Sequence, residues 1–181
     1  SNKHQIACNL ARSLSRGRVW LIGSAVYRPL AHGLHNLDGT GNGITKPLPD
    51  FDFIVEGFKK NPRDLESGLT YSVNTFGQHR LSSSGLSVDL VALSDISFIR
   101  KYNFRPEIGH FLAGTPLDIQ SIAFDIDNNV LSSLGGFEAL RKRKVGVNNQ
   151  SELNYYCRIK GINPRDYVRR VAESLGFEVR I

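Results

Sequence analysis

The sequence predicts an α+β fold, a mixed β-sheet flanked by helices with a short helical C-terminal extension. Short apolar runs of strand length, bounded by Gly, Pro, Asn and Ser, recur through the body of the chain. Apolar residues at helical spacing open and close it. The charge is also uneven: residues 1–140 hold 13 basic against 13 acidic residues, and residues 141–181 hold 10 against 4. The whole net charge of +6 therefore falls after residue 140.

With 181 residues, 40% of them hydrophobic and 22% charged, the chain can bury a real core. That composition excludes disorder, collagen-like sequence and coiled coil. No apolar run approaches the roughly 18 residues of a membrane span, so no membrane association is expected. No secretory signal precedes the first charged residues. Cys8 and Cys157 lack metal spacing and read as free thiols, which suits a cytoplasmic location.

Taken in order, Ile6, Ala7, Leu10, Ala11 and Leu14 mark one helical face, with Gly17 as its stop. Val19–Ile22 reads as a buried strand ending at Gly23-Ser24. Ala25 to about His32 reads as a helix that Pro29 complicates. Residues 33–49 read as a Gly/Pro loop, and 51–55 as a second strand. Extended segments follow at 71–73, 79–82 and 87–92, the last two joined by a hairpin at Ser83-Ser84-Gly85. Short helices are expected at 96–102 and 107–113, a strand at 119–124 closed by Asp127-Asn128-Asn129, and a helix at 137–143. Asn163, Pro164 and Gly176 are the N-cap, first-turn and stop residues of a last helix. Tyr167, Val168, Val171, Ala172 and Leu175 are its buried stripe, and Arg165, Arg169 and Arg170 lie away from it.

Three features in order carry the chemistry: the strand end Gly23-Ser24, the pair Asp50-Phe51-Asp52, and Asp89 within a further apolar strand. Residues i and i+2 of a strand share a face, so Asp50 and Asp52 present two carboxylates side by side while Phe51 and Phe53 enter the core. Carboxylates that close repel, and a divalent cation relieves the repulsion. Asp89 from a neighbouring strand would complete a cage for Mg²⁺, and two ions about 3.5–4 Å apart would clamp an in-line phosphoryl displacement. Gly23 lets backbone approach a phosphate, and Ser24 adds a hydroxyl at a helix start. The other pair, Asp125-Ile126-Asp127, borders Asn128-Asn129 and is explained by turn chemistry.

Other residues weigh less. His32 and His35 have no acid or thiol at zinc-site spacing and read as surface histidines. His79 and Arg80 lie on the strand expected beside Asp89, where they would touch phosphate or simply form a polar edge. Lys46 precedes the acidic pair on the Gly/Pro loop, within reach of a triphosphate. The run Arg141–Lys144 reads as a solvated helix end, with RNA contact as the alternative.

Leu21-Ile22-Gly23-Ser24-Ala25-Val26, Asp50-Phe51-Asp52-Phe53-Ile54-Val55, Phe76-Gly77 and Val88-Asp89-Leu90-Val91-Ala92-Leu93 together resemble the polymerase β-type nucleotidyltransferase superfamily. Their order is most similar to the head domain of bacterial tRNA CCA-adding enzymes and poly(A) polymerases. Ile119–Asp125, Gly135–Leu140 and Arg169–Phe177 continue the resemblance, so it spans about residues 18–178. It implies a nucleotidyltransferase-fold head at 1–145 and a basic neck-like extension at 146–181. It implies that Asp50, Asp52 and Asp89 are the catalytic metal ligands of a two-ion Mg²⁺ site, that Asp89 also helps activate the acceptor hydroxyl, and that Gly23 and Ser24 hold a nucleoside triphosphate such as ATP; Arg28, one place later than the family's arginine, and His79, from its strand position, are the further nucleotide-binding candidates. The chain departs from the pattern at Tyr27-Arg28-Pro29, Thr115-Pro116 and Gln120, where the family carries nucleotide-binding residues. It also ends at Ile181, short of the family's base-selecting neck, so CCA addition by this chain alone is not expected. The expected activity moves a nucleotide from an NTP to a hydroxyl, on RNA or another acceptor, with release of pyrophosphate. Its rival is a nucleotide- or RNA-binding module that keeps the fold without turnover.

Overall fold

The computed structural model describes residues 2–35 and 50–181. In chain order the elements are α1 (Asn2–Leu14), β1 (Ser15–Ile22), α2 (Ser24–His35), β2 (Asp50–Phe58), β3 (Thr70–Val73), β4 (His79–Ser83) and β5 (Leu86–Ala92). There follow α3 (Ser97–Lys101), α4 (Ile108–Ala113), β6 (Ile122–Asp125), β7 (Val130–Ser133), α5 (Gly136–Lys142) and β8 (Lys144–Val145). The chain closes with α6 (Gln150–Lys160), α7 (Pro164–Leu175) and β9 (Glu178–Val179).

Seven strands form one mixed sheet in the order β3-β4-β5-β2-β1-β6-β7. Its pairs are antiparallel except β2 with β5, which run parallel at the centre. The period-two pattern decides what each face meets. Phe51, Phe53, Val55, Val88 and Leu90 face one way and join Leu14 of α1, Ala31 of α2, Leu140 of α5, Leu153 of α6 and Val168 of α7 in the main core. Trp20, Ile54 and Val91 face the other way and are covered by Ile99 of α3 and Leu112 of α4. Burying each large apolar side chain contributes roughly 1.5–3 kcal/mol, so the two clusters fix which face every sheet residue presents.

The structure departs from the sequence reading in a few places. Gly17 does not end α1; it sits at positive φ, +83°, in a bulge of β1 where the register to β2 shifts between Arg16 and Val19. A side chain there would overlap the Glu56 carboxylate, which accepts the Arg18 N–H at 2.8 Å. α2 runs straight through Pro29 because Val26, Tyr27 and Ala31 are buried on either side of it, and that packing outweighs the lost backbone bond. The strand expected at 119–124 is a single 3-10 turn followed by β6. Four elements, β7, β8, α6 and β9, have no counterpart in the sequence reading. Most of the loop read at 33–49, with Lys46, lies outside the described residues, whereas Gly33 belongs to α2.

The C-terminal segment returns to the body. β9 pairs parallel with β8, Lys144 opposite Glu178 and Val145 opposite Val179. Arg180 adds a second fastening: its N–H donates to the Val145 carbonyl at 2.7 Å and its guanidinium to buried Asp118 at 3.0 Å. Gly136 is where α5 meets the sheet: an added Cβ would overlap Ile122 Cγ1 and come within 3.0 Å of the Asp118 carbonyl. Gly136→Ala is therefore expected to destabilise by about 1–3 kcal/mol, read as a melting temperature lower by about 2–4 °C per kcal/mol. An unchanged melt would show that the α5 contact gives way freely.

Candidate active site

The parallel pairing of β2 with β5 builds the site. Asp52 stands directly opposite Asp89, and Asp50 opposite Ser87. Asp50 and Asp52 share the face that also carries Ile54, while Phe51 and Phe53 lie in the core as the alternation requires. Asp50 is exposed at the strand start, Asp52 is half-buried, and Asp89 is buried. Burial, then the Asp89 and Asp50 carboxylates, push the Asp52 carboxyl up to about 7. Arg80 and Lys160 pull in the opposite direction, so both cations lie within electrostatic reach of Asp52.

Gly23 closes the end of β1 against this pair. Its φ is +72°, and a Cβ there would stand 3.0 Å from Asp52 Oδ2. A side chain would be strained by the backbone and would crowd the carboxylate. The Gly23 carbonyl accepts the N–H groups of Val26 and Tyr27 at 3.0 and 3.1 Å, which turns the chain into α2 with Ser24 as its first residue.

Asp89 is held from two sides. Arg80, its partner across β4–β5, donates Nε to Oδ1 at 2.7 Å and Nη2 to Oδ2 at 2.8 Å. Asn74 Nδ2 donates to the same Oδ2 at 3.0 Å. Asn74 is fixed in turn, because its Oδ1 accepts the N–H groups of Phe76 and Gln78. Such a forked, charge-assisted pair is among the stronger hydrogen-bonded arrangements.

A cavity of about 240 Å³ opens beside these groups, lined by Gly23, Asp52, Asp89 and Gln78 on the sheet side and by Glu152 and Tyr156 of α6 opposite. Phe76 stacks on Tyr156 with ring centres 5.3 Å apart, and Tyr156 stacks on Tyr167 at 4.8 Å. Lys160 lies over the Phe76 ring at 5.2 Å. Gln120 lines the same cavity and donates to the Tyr167 hydroxyl at 2.7 Å.

Of the residues singled out in the sequence, Gly23, Asp50, Asp52 and Asp89 come together at one sheet end. Arg28 donates to Ser174 on α7 at 3.3 Å. The imidazole of His79 meets Tyr71 Oη at 3.0 Å and packs edge-on against Phe58. His35 is bonded to the Leu140 carbonyl at 2.7 Å. Asp125 accepts from Asp127 N and Asn128 N at 3.1 Å each, the turn chemistry expected of that pair. Lys160, Tyr156 and Asn74 were missed. Asn149 before the spacing Leu153, Tyr156, Cys157, Lys160 was the available signal for the first two.

The donor set decides whether a divalent cation suits the site. Asp50 and Asp52 fit one: two oxygen-bearing groups share a face, and a cation would relieve the repulsion that raises Asp52. Asp89 fits less well, because both its oxygens are taken by Arg80 and Asn74. Among the described residues, no three His, Cys, Asp or Glu side chains form a ready metal cage.

The seven-stranded mixed sheet with helices packed on it is similar in fold to the nucleotidyltransferase head domain of CCA-adding enzymes. A tRNA-processing enzyme in an apo form matches with a TM-score of 0.63 and 18% identity, over 99% of this chain and 44% of its own. A tRNA nucleotidyltransferase complexed with a primer tRNA and an incoming ATP analogue matches at 0.57 and 19% identity, over 98% and 46%. The Thermotoga maritima CCA-adding enzyme complexed with tRNA matches at 0.58 and 18% identity, over 98% and 39%. The chain spans less than half the length of each of these. No family model and no curated protein matches the sequence. No helix among the described residues is long and apolar enough to cross a membrane.

Proposed function

We propose that this protein is a nucleotidyltransferase of the cytoplasm that moves a nucleotide from an NTP to a hydroxyl acceptor and releases pyrophosphate. The observation that carries this reading is the in-register placement of Asp52 opposite Asp89 at the mouth of a cavity, with Gly23 packed against the Asp52 carboxylate. Asp50 and Asp52 would hold Mg²⁺. The ion, when bound, supplies Lewis-acid polarisation of the phosphoryl oxygens. Gly23 and the start of α2 leave backbone room for the triphosphate. In the reaction, the acceptor oxygen forms a bond to the α-phosphorus, the bond to the pyrophosphate oxygen breaks, and the hydroxyl proton leaves to a base. Lys160 and the exposed arginines of α6 and α7 suit a polyanionic acceptor such as RNA. At least five of the ten basic residues after position 140 are already in ion pairs, namely Arg141, Lys142, Lys144, Arg169 and Arg180, which leaves the others to meet it. In this reading residues 1–145 are the catalytic head and residues 146–181 the extension that walls the cavity.

The second reading, binding without turnover, is favoured by one observation, the capture of Asp89 by Arg80. Labelled ATP and CTP supplied with Mg²⁺ and an RNA oligonucleotide bearing a free 3′-hydroxyl separate the two. Incorporation that EDTA abolishes supports the enzyme. NTP binding with no pyrophosphate released would leave the binding module.

A further inference from the structure

The sequence predicts two ions at the site, and the contacts of Asp89 bear directly on that number. Arg80 lies across the strand ladder from Asp89 and grips it with two parallel N–H bonds of 2.7 and 2.8 Å. Asn74 takes a third acceptor position on that carboxylate at 3.0 Å. An ion binding Asp89 would have to displace a bidentate guanidinium from a carboxylate whose side chain is only 10% exposed. Mg²⁺ demands near-octahedral oxygen ligation and loses its waters reluctantly, so it competes poorly for a carboxylate that already accepts three hydrogen bonds, two of them from a guanidinium. A guanidinium keeps its charge at any working pH and so remains a permanent occupant.

Charge leads to the same place. Asp50, Asp52 and Asp89 bring three negative charges, and two divalent ions would leave a net positive charge of one. Arg80, bonded to Asp89, and Lys160, over the Phe76 ring, both lie within electrostatic reach of Asp52. Their combined charge is that of one divalent ion, so a single ion beside them leaves the same net value. The fixed pair can therefore replace one ion without altering the net charge of the carboxylate cluster and its cations.

We propose that Arg80, seconded by Lys160, stands in for one of the two ions, so that the site takes a single divalent cation at Asp50 and Asp52. Arg80 is a positioning residue: it keeps Asp89 oriented and closed to metal. The inference rests on the cation site of the proposed function and replaces the two-ion site expected from the sequence.

Mn²⁺ spectroscopy tests it on the full chain. The protein is loaded with Mn²⁺ and a non-hydrolysable ATP analogue, and protein-bound ions are counted against an analogue-only blank. The wild type is expected to bind one ion with the spectrum of an isolated centre. Arg80→Gln, which keeps donors for Asp89 but removes the charge, is expected to bind a second ion at least about tenfold more tightly than the wild type. Two ions held about 3.5–4 Å apart would give a spin-coupled spectrum. Arg80→Lys, which keeps the charge, is expected to remain at one ion. A coupled pair in the wild type overturns this inference and leaves the proposed function standing, and so does a count that stays at one in folded Arg80→Gln. No protein-dependent Mn²⁺ in any variant overturns both. If Arg80→Gln does not fold, the wild-type count and spectrum decide alone.

Discussion

Asp52→Asn is expected to lower nucleotide incorporation about 1000-fold while leaving the protein folded and raising its melting temperature. Metal-held charge stabilisation in phosphoryl transfer is worth several kcal/mol, and each 1.4 kcal/mol is tenfold in rate. Asn keeps the shape of Asp but offers one weaker acceptor where the carboxylate had two charged oxygens. The stability gain has a separate origin. In the free protein the Asp52 charge is held half-buried beside Asp50 and Asp89, and the neutral amide removes that burden. Opposite signs for activity and stability are what a functional carboxylate produces. Measuring single-turnover incorporation and thermal melts on one preparation checks both halves. A variant that melts lower and loses activity only in proportion would make Asp52 a structural residue.

The second large effect is on pH dependence. The Asp52 carboxyl is raised from an ordinary 3.8 to about 7 in the folded chain. Below the unfolded value both states hold the proton and Asp52 has no effect on stability. Between about 4 and 7 the unfolded chain has released its proton while the folded one retains it, so stability falls as pH rises. Above 7 the loss is complete and level. Each unit of difference corresponds to about 1.4 kcal/mol, so the upper bound is several kcal/mol. In EDTA the melting temperature should therefore fall between pH 5 and pH 8, and added Mg²⁺ at pH 8 should recover much of it. Glu152, raised by burial, slopes the same way, so Asp52→Asn is the necessary control. Glu138, lowered to about 2 chiefly by its hydrogen bonds to Arg141 and Lys142, acts only at lower pH and lies outside this window. An equal slope in Asp52→Asn would place the effect elsewhere.

What the sequence makes legible is what local chemistry decides. The cap, proline and stop of α7 fall where expected, with Asn163 accepting from Arg165 and Asp166 and Gly176 left-handed. The β4–β5 hairpin turns at Ser84-Gly85 as read, with Gly85 at φ +82°. The Asp pair and its core-facing phenylalanines follow from a period of two. What stayed hidden depends on distant partners. Gly17 reads as a helix stop until Glu56 is known to sit against it. β7 shows no alternation because half its residues are exposed, and only pairing with β6 makes it a strand. α6 is weakly amphipathic and rich in polar residues, yet Leu153 and Cys157 suffice to seat it. The Arg80 grip on Asp89 needs the β4–β5 register, which spacing alone does not supply. That missing register is why a carboxylate legible as a metal ligand carries a guanidinium.

The pairing of β8 with β9, reinforced by Arg180 on Asp118, turns the stretch between Val145 and Glu178 into a loop fastened at its neck. The helix that walls the cavity therefore begins five residues beyond one side of the clasp, from Val145 to Gln150, and ends eighteen before the other, from Lys160 to Glu178. Two short strands and one arginine, remote from Asp50, Asp52 and Asp89, thus add a restraint to the core contacts of Leu153 and Cys157 that seat α6. Amide exchange in α6 should accelerate in Arg180→Ala while the central strands remain protected.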